Sequence, residues 1–422
     1  MNWRATIGGT LGWMVDVYDL TLILFITGII ASAFFPPTNP VLSLLYVFSS
    51  YALSLLFRPV GGIIFGHIAD KIGRRITMFI TLLGLGVFSA LTGALPTYAE
   101  IGIFASILFI VLRVLVGIFV GGEVSGSHLI AIEGSDSKRR GLVSGILQSG
   151  YYWGYALAAI TFLAMASYFG KNFATVGWRY AFYISLIVSV AGIILRLAVG
   201  ESRLFDEVKK DKLILNIPIS GLFKNYMSEV LVAILLMSGI YWVAYSTLGY
   251  LPTYLTQLKY DRIFIFSGLV FAGIIGGIMT IIGGAISDRL KRKWSFIIYS
   301  VLGSILSIPM ISFLYINSFI SVSIAAGIIT GLVGLCGGVM LAYLSELFAT
   351  NVRGSAIGLI WNIANIGSTV GLLLAPILSS YSIFWGYSFL LLGGYLVTII
   401  GAAATKDRIG VDLSILKTAK QN

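Results

Sequence analysis

Five ionisable side chains stand inside long apolar runs: Asp16, Asp19, Arg58, Arg113 and Glu123. A charge in the middle of a membrane-crossing helix costs about 2.5–3.5 kcal/mol on insertion scales, so each is a candidate for function. Asp16 and Asp19 are three residues apart and share one face of a helix. Two neighbouring carboxylates in a low dielectric do not both ionise freely, which suits one of them to loading and releasing a proton. Arg58 and Arg113 carry planar forks that bind a carboxylate through two parallel hydrogen bonds and stay charged when buried. Either arginine could hold Asp16 or Asp19 until an organic anion displaces it, or could form a permanent structural pair. Arg113 precedes Glu133 by about 30 Å of helix and Arg58 precedes Asp70 by about 18 Å, which sets both deep in a membrane. Glu123 lies about 15 Å from Arg113 on the same helix and reads as a second proton site or as a brace.

The elements that must position these groups follow from composition. The chain has 422 residues, 58% hydrophobic and 11% charged, with mean hydropathy +0.96. A soluble domain has about 25% charged residues, so a water-soluble enzyme is excluded. The 13% aromatic content excludes disorder. Cys336 is the single cysteine, and His67 and His128 lie in different segments, so neither a disulfide framework nor a metal site is expected. There is no phosphate loop, zinc pair or nucleophile elbow, and no cofactor is expected.

Apolar runs of about 20 residues suffice to cross a bilayer. Twelve are found, over 11–34, 43–67, 75–95, 101–123, 141–168, 179–199, 228–255, 264–286, 295–315, 318–345, 355–379 and 383–403. They are about twice the length of the 9–11-residue strands of a membrane barrel. Arg4, the run 20–30 and Ala31-Ser32-Ala33 imitate a cleaved signal peptide. Asp16 and Asp19 in the preceding stretch argue against cleavage, so the first run counts as a span. Of the 28 Lys and Arg residues, 22 fall in one set of alternate connections and at the ends, and four in the other set. This bias places both termini in the cytoplasm of a multi-pass cell-membrane protein. It also accounts for the net charge of +11 without a nucleic-acid partner.

A polar stretch at 201–226 divides the chain, and two charged motifs recur across it. Gly66-His-Ile-Ala-Asp70-Lys-Ile-Gly-Arg74-Arg75 after span two is matched by Gly284-Ala-Ile-Ser-Asp288-Arg-Leu-Lys-Arg292-Lys293 after span eight. Glu133 precedes Arg140 by seven residues, as Glu346 precedes Arg353. The offsets of 218 and 213 describe a duplicated six-helix unit. The expected organisation is an all-α membrane protein of two pseudo-symmetric six-helix bundles, 1–200 and 227–404. A cytoplasmic linker at 201–226 joins them, and a cytoplasmic tail occupies 405–422.

The motif Gly-x3-Asp-[Arg/Lys]-x-Gly-Arg-Arg between spans two and three resembles the signature of the major facilitator superfamily. The copy between spans eight and nine keeps the acid but lacks the second glycine. Arg58-Pro-Val-Gly-Gly-Ile-Ile-Phe-Gly-His67, Gly121-Gly-Glu123 with Glu133, Gly177-Trp-Arg179, Arg196 with Glu201-Ser202, and Glu346-Leu-Phe348 with Arg353 are similar to its metabolite:proton and sialate/monocarboxylate symporter branch. The resemblance implies two bundles with a cavity between them that opens alternately to each side. It also implies that Asp70 faces the N-terminus of span eleven near Gly354, and Asp288 that of span five near Gly141. With Arg74, Glu133, Arg140, Glu346 and Arg353 these acids would form a cytoplasmic gate.

Glycines four apart, at 117 and 121, 141 and 145, 150 and 154, 354 and 358, and 367 and 371, suit close helix packing. Neutral candidates for the cavity are Gln148, Tyr151 and Tyr155 on span five, Tyr241 and Tyr245 on span seven, and Asn362 and Asn365 on span eleven. Tyr152 and Trp153 read as packing, and His128 as a local hydrogen-bonding group. The expectation is a monomeric secondary transporter that moves a small organic anion, a mono- or dicarboxylate, together with protons. A sugar or polyol carrier ranks second, because Gly200-Glu201-Ser202-Arg203 lacks the prolines of sugar porters and span seven carries Tyr241-Trp242 instead of paired glutamines. A transporter-like membrane sensor ranks third, because the 18 residues after Ala404 are short for a signalling tail.

Overall fold

The computed structural model describes residues 3–36, 39–122, 126–199, 219–348 and 350–406, and among them no strand occurs. Glu123 and most of the expected linker and tail lie outside the described residues, as do the side chains of Asp70 and Arg74. In the first half, α1 (Trp3–Phe25) and α2 (Thr27–Phe34) make span one, and α3 (Pro40–Ile72) and α4 (Arg74–Ala94) make spans two and three. The turn α5 (Tyr98–Ile101) leads to α6 (Ile103–Gly121), which forms span four and is followed by α7 (Gly126–Glu133). Spans five and six are α8 (Arg140–Phe169) and α9 (Gly177–Val199). In the second half, α10 (Ile219–Ala244), a π-helical turn at Tyr245–Gly249 and α11 (Leu251–Gln257) make span seven. Spans eight to twelve are α12 (Arg262–Leu290), α13 (Arg292–Phe313), α14 (Phe319–Leu347), α15 (Thr350–Tyr381) and α16 (Ile383–Ala404). Twelve spans among the described residues are long and apolar enough to cross a bilayer.

Each helix is built so that little polar backbone meets lipid. Thr21, Thr280 and Thr398 donate their hydroxyls back to carbonyls four residues earlier, at 2.9, 2.7 and 2.9 Å, which satisfies them inside the apolar runs. Asn39 caps α3 by accepting from Val41 N at 2.9 Å, with Pro40 at the first helical position. In the hairpin between spans three and four, Thr97 N and Oγ1 both donate to Glu100 Oε2, at 2.6 and 2.9 Å. The Thr97 backbone N–H, and then its hydroxyl, hold this carboxyl below the usual range. Ile63, Phe104, Ile187, Ile305 and Ile320 are 64–75% exposed, the surface expected of a protein that faces lipid chains.

The packing repeats six spans on. Span one packs on five and six, two on four, and three on six; seven packs on eleven and twelve, eight on ten, and nine on twelve. The glycines repeat with it. A Cβ on Gly150 or Gly154 would strike the backbone of span one at Thr10 and Met14, and one on Gly367 or Gly371 that of span seven at Ser238 and Trp242. Gly117 and Gly121 admit the backbone of span two at Ser54 and Arg58. Gly358 departs from the pattern and has nothing within 4 Å of where its Cβ would lie. Gly73, which ends α3, has φ +93°, and the residue in the same place of the second copy, Lys291, has φ +71°. The turn is therefore kept in both halves although the second glycine is not, at a cost of about 1–3 kcal/mol for a side chain in that region.

Candidate functional site

Between the halves lies a cavity with about 520 Å³ of space unfilled by protein atoms. The first half lines it with Trp13, Arg58, Gln148, Tyr151 and Tyr152, and the second with Tyr241, Tyr245, Trp361 and Asn365. Ile240, Ala244, Val333, Gly337 and Met340 complete the wall. Arg58 is its single charged residue among the described residues. Arg58 is only 2% exposed. Its Nε and Nη2 have no hydrogen-bond partner, and neither do Gln148 Oε1, Tyr241 OH and Trp13 Nε1. A buried polar atom left unpaired costs about 1–3 kcal/mol, so this wall is prepared for a polar solute and its water. The rings meet across the two halves: Trp13 and Trp361 with centroids 5.9 Å apart, and Tyr151 and Tyr245 at 6.4 Å. The π turn that starts at Tyr245 locally widens span seven beside the cavity, a feature often found at functional sites.

Two further charges lie behind this wall, within the first half. Asp19 is fully buried and accepts from Ser185 Oγ at 2.8 Å, while its Oδ2 has no hydrogen-bond partner. Arg113 donates to Thr92 and lies 5.8 Å from the centre of the Phe109 ring. Asp19 and Arg113 attract each other through space but form no direct ion pair. For Asp19 and Arg113 the direct Arg–Asp fork that the sequence left open is therefore replaced by hydroxyl partners. Ser54 Oγ donates to Arg113 O at 2.6 Å and ties span two to span four. Tyr51, seven residues or about two turns before Arg58, sets its ring 5.9 Å from Tyr245 and lies in the fields of Arg58 and Asp19.

The cavity is shut towards the face that bears the chain ends by contacts between the halves. No side chain of α8 caps its own N-terminus. Asp288 from the other half does so, accepting from Gly141 N at 2.7 Å and Leu142 N at 3.0 Å. Within the second half, Arg292 braces both acids of this face, binding Glu346 by Nε and Nη2, both at 2.9 Å, and Asp288 by Nη1 at 3.0 Å. Arg140 approaches Glu346 at 3.8 Å, and Arg353 pairs with Glu133 at 2.6 Å. Gly141 and Gly284 touch backbone to backbone at this point, so a Cβ on either would strike the other's carbonyl oxygen. At the opposite face the contact is made of rings. Phe266 of the second half stands 6.4, 5.4 and 5.8 Å from Phe25, Phe162 and Phe173 of the first. Phe48 and Tyr250 meet at 6.2 Å nearby.

Of the residues singled out by sequence, Arg58, Gln148, Tyr151, Tyr241, Tyr245 and Asn365 are brought to one wall. Arg113, Tyr155 and Asn362 are not among its lining residues. Tyr155 is buried against Phe25, and Asn362 Nδ2 donates to Gly358 O at 2.8 Å. Tyr152, read from sequence as packing, reaches the wall and also packs on Gly276. Asp16 is buried on α1. Glu133, Arg140, Asp288, Glu346 and Arg353 converge on one face, as their repeat implies. Sequence reasoning missed Trp13, Tyr51, Phe266 and Arg292. Arg292 reads as one more topology-setting base, yet its place four residues after Asp288 was a usable signal for a helical ion pair. For the three rings no such signal exists among 56 aromatic residues.

The Major Facilitator Superfamily model matches residues 41–360. The chain is 31% identical over 401 residues to a putative metabolite transport protein of Haemophilus influenzae, covering 90% of each. It is 28% identical to an inner membrane metabolite transport protein of Escherichia coli, covering 94% of this chain and 91% of the relative. A proline/betaine transporter of Escherichia coli is 28% identical, with 86% and 74% covered. The fold is similar to that of the proton:xylose symporter XylE bound to a bromodeoxyglucose, with a TM-score of 0.75, 17% identity and 99% of both chains covered. Family match, repeated packing and twelve spans agree: the chain belongs to the Major Facilitator Superfamily and is a multi-pass membrane transporter, not an enzyme.

Proposed function

We propose that this transporter moves a small organic carboxylate together with protons, by rocking its halves about the central cavity. Arg58 carries the reading: a buried guanidinium on the cavity wall with two N–H groups free of hydrogen bonds fits a carboxylate fork. A neutral sugar would leave that charge uncompensated, which ranks sugars second. The relatives' names, metabolite transport proteins and a proline/betaine transporter, are compatible with a small carboxylate substrate.

Asp19 is the proposed proton carrier. A buried carboxylate with one oxygen free of hydrogen bonds can accept a proton there. Asp16 and Glu123 are the other proposed proton sites. The ion pairs of the basic face form the proposed cytoplasmic gate, together with Asp70 and Arg74, and the 22-to-4 distribution of basic residues supports that orientation in the cell membrane. The expected unit is a monomer, with both termini in the cytoplasm.

Uptake into proteoliposomes under an imposed proton gradient, screened over carboxylates, amino acids and sugars, tests the reading. Asp19→Asn should abolish gradient-driven accumulation and its pH dependence, yet keep exchange of substrate down its own gradient. Accumulation at the wild-type level in that variant refutes proton carriage by Asp19. Gradient-independent uptake of a neutral sugar by the wild type refutes the symport reading.

A further inference from the structure

The halves meet along two equivalent seams, span five against span eight and span two against span eleven. The offsets of 218 and 213 pair their residues: Gly66 with Gly284 and Arg58 with Gly276, and Gly145 with Gly358 and Tyr152 with Asn365. The first seam is zipped. A Cβ on Gly284 would strike Gly141 O, one on Gly145 would strike Thr280 O, and the Tyr152 ring lies against Gly276. The second seam is loose. Among the described residues, Gly66 and Gly358 have nothing within 4 Å of where a Cβ would lie, and Gly62 meets only Gly121 O of its own half, at 3.5 Å. Residues 59–67 of span two are exposed apart from Gly61 and Phe65, which pack on span four. Gly354, at the start of span eleven, is exposed, whereas its counterpart Gly141 is buried.

Glycine weakens a helix, and at 66 and 358 no neighbour requires it. The zipped seam shows what would require it, a backbone in direct contact. Arg58, buried with Nε and Nη2 free of hydrogen bonds, stands one turn from Gly62 at the head of the loose seam, and Asn365 lines the cavity with it. We propose that the basic side reaches the cavity from one flank: the seam between spans two and eleven parts first, cargo passes Gly66 and Gly62 to Arg58, and the seam between spans five and eight parts last, as the hinge. Gly66 and Gly358 are kept small for the state in which the loose seam zips like its twin. The clasps fit this order. Asp288 on Gly141 and Leu142, and Arg140 with Glu346, bind spans five, eight and ten, whereas Arg353 with Glu133 holds only the start of span eleven. The passage is the same for any cargo, so it does not rest on the carboxylate reading.

Thiol chemistry tests this in a Cys336→Ser background, with an impermeant maleimide applied at the basic face of sealed vesicles. Gly66→Cys and Gly358→Cys should react about tenfold faster than Ser144→Cys and Thr280→Cys, which lie buried on spans five and eight. Gly66→Leu should leave the unfolding midpoint in detergent unchanged, because its side chain enters empty space, yet keep the seam from zipping. A Met340→Cys reporter on the cavity wall should then react about tenfold faster from the basic face, and more slowly from the opposite face. Equal reaction at the two seams means that they part together and overturns the proposal. A lowered midpoint in Gly66→Leu, which would show the seam already packed, also overturns it. So does an unchanged reporter rate, which would show that Gly66 only faces lipid.

Discussion

At the basic face the halves are held by a carboxylate on a helix N-terminus and by the ion pairs Arg353–Glu133 and Arg140–Glu346, whereas at the opposite face a single ring, Phe266, is set among three others. The first kind of contact is directional. Asp288 must reach two particular amides, and the Arg353–Glu133 pair tolerates little displacement before the buried Arg353 is left without its carboxylate. The second kind is forgiving, because rings exchange tilted for stacked contact at little cost. One closure should therefore break as a unit and the other should loosen by degrees. The difference teaches that twofold repetition of the backbone does not impose equal energetics on its two ends.

Arg292→Ala should give the largest effect. It leaves Glu346 with only the 3.8 Å approach of Arg140, and removing one partner of a buried pair costs about 3–5 kcal/mol. Denaturation in detergent should show the loss; stability within about 0.5 kcal/mol of wild type would mean that Arg292 does not brace Glu346 and Asp288 for their contacts with the first half. Asp288→Asn is milder, because the amide offers one oxygen for two N–H groups and no charge for the helix end, a loss of about 1–2 kcal/mol. In a Cys336→Ser background, which removes the single native cysteine, a Met340→Cys reporter on the cavity wall should react about tenfold faster with an impermeant reagent applied at the basic face. Phe266→Leu should give the smallest effect. Each lost ring pair contributes about 0.5–1.5 kcal/mol, partly replaced by leucine contacts, so the same reporter should react only about threefold faster, and from the opposite face. Faster reaction from the wrong face in either variant would break the comparison.

The closure at the basic face was legible because charge is scarce in the sequence. With 11% charged residues, each acid that recurs at the end of an equivalent helix stands out, and Glu133, Asp288 and Glu346 all meet partners from the other half. The glycine pairs were legible for a related reason, since a four-residue spacing repeated at 150 and 367 defines a helix face without any tertiary information. The ring closure was not legible. Phe25, Phe162, Phe173 and Phe266 come from four separate segments, and no periodicity within one helix selects them from the lipid-facing phenylalanines. The position of Arg113 behind the cavity was hidden for the same reason. Depth along a helix follows from counting residues, but rotation towards cavity or bundle interior depends on which neighbours it packs against. Lys291 shows the converse, a backbone turn kept at φ +71° where the residue type gives no hint of it.

Arg58, Asp19 and Arg113 all belong to the first half. Any charge they carry across the bilayer in one stroke is carried back in the next, so over a full cycle only the cargo counts electrically. An organic monoanion that travels with one proton moves no net charge, and its accumulation would ignore the membrane voltage. A zwitterion that travels with one proton moves one positive charge, which a potential of 100 mV drives with about 2.3 kcal/mol. The current recorded during uptake therefore reports the summed charge of substrate and protons, whatever charge the protein itself moves within the cycle.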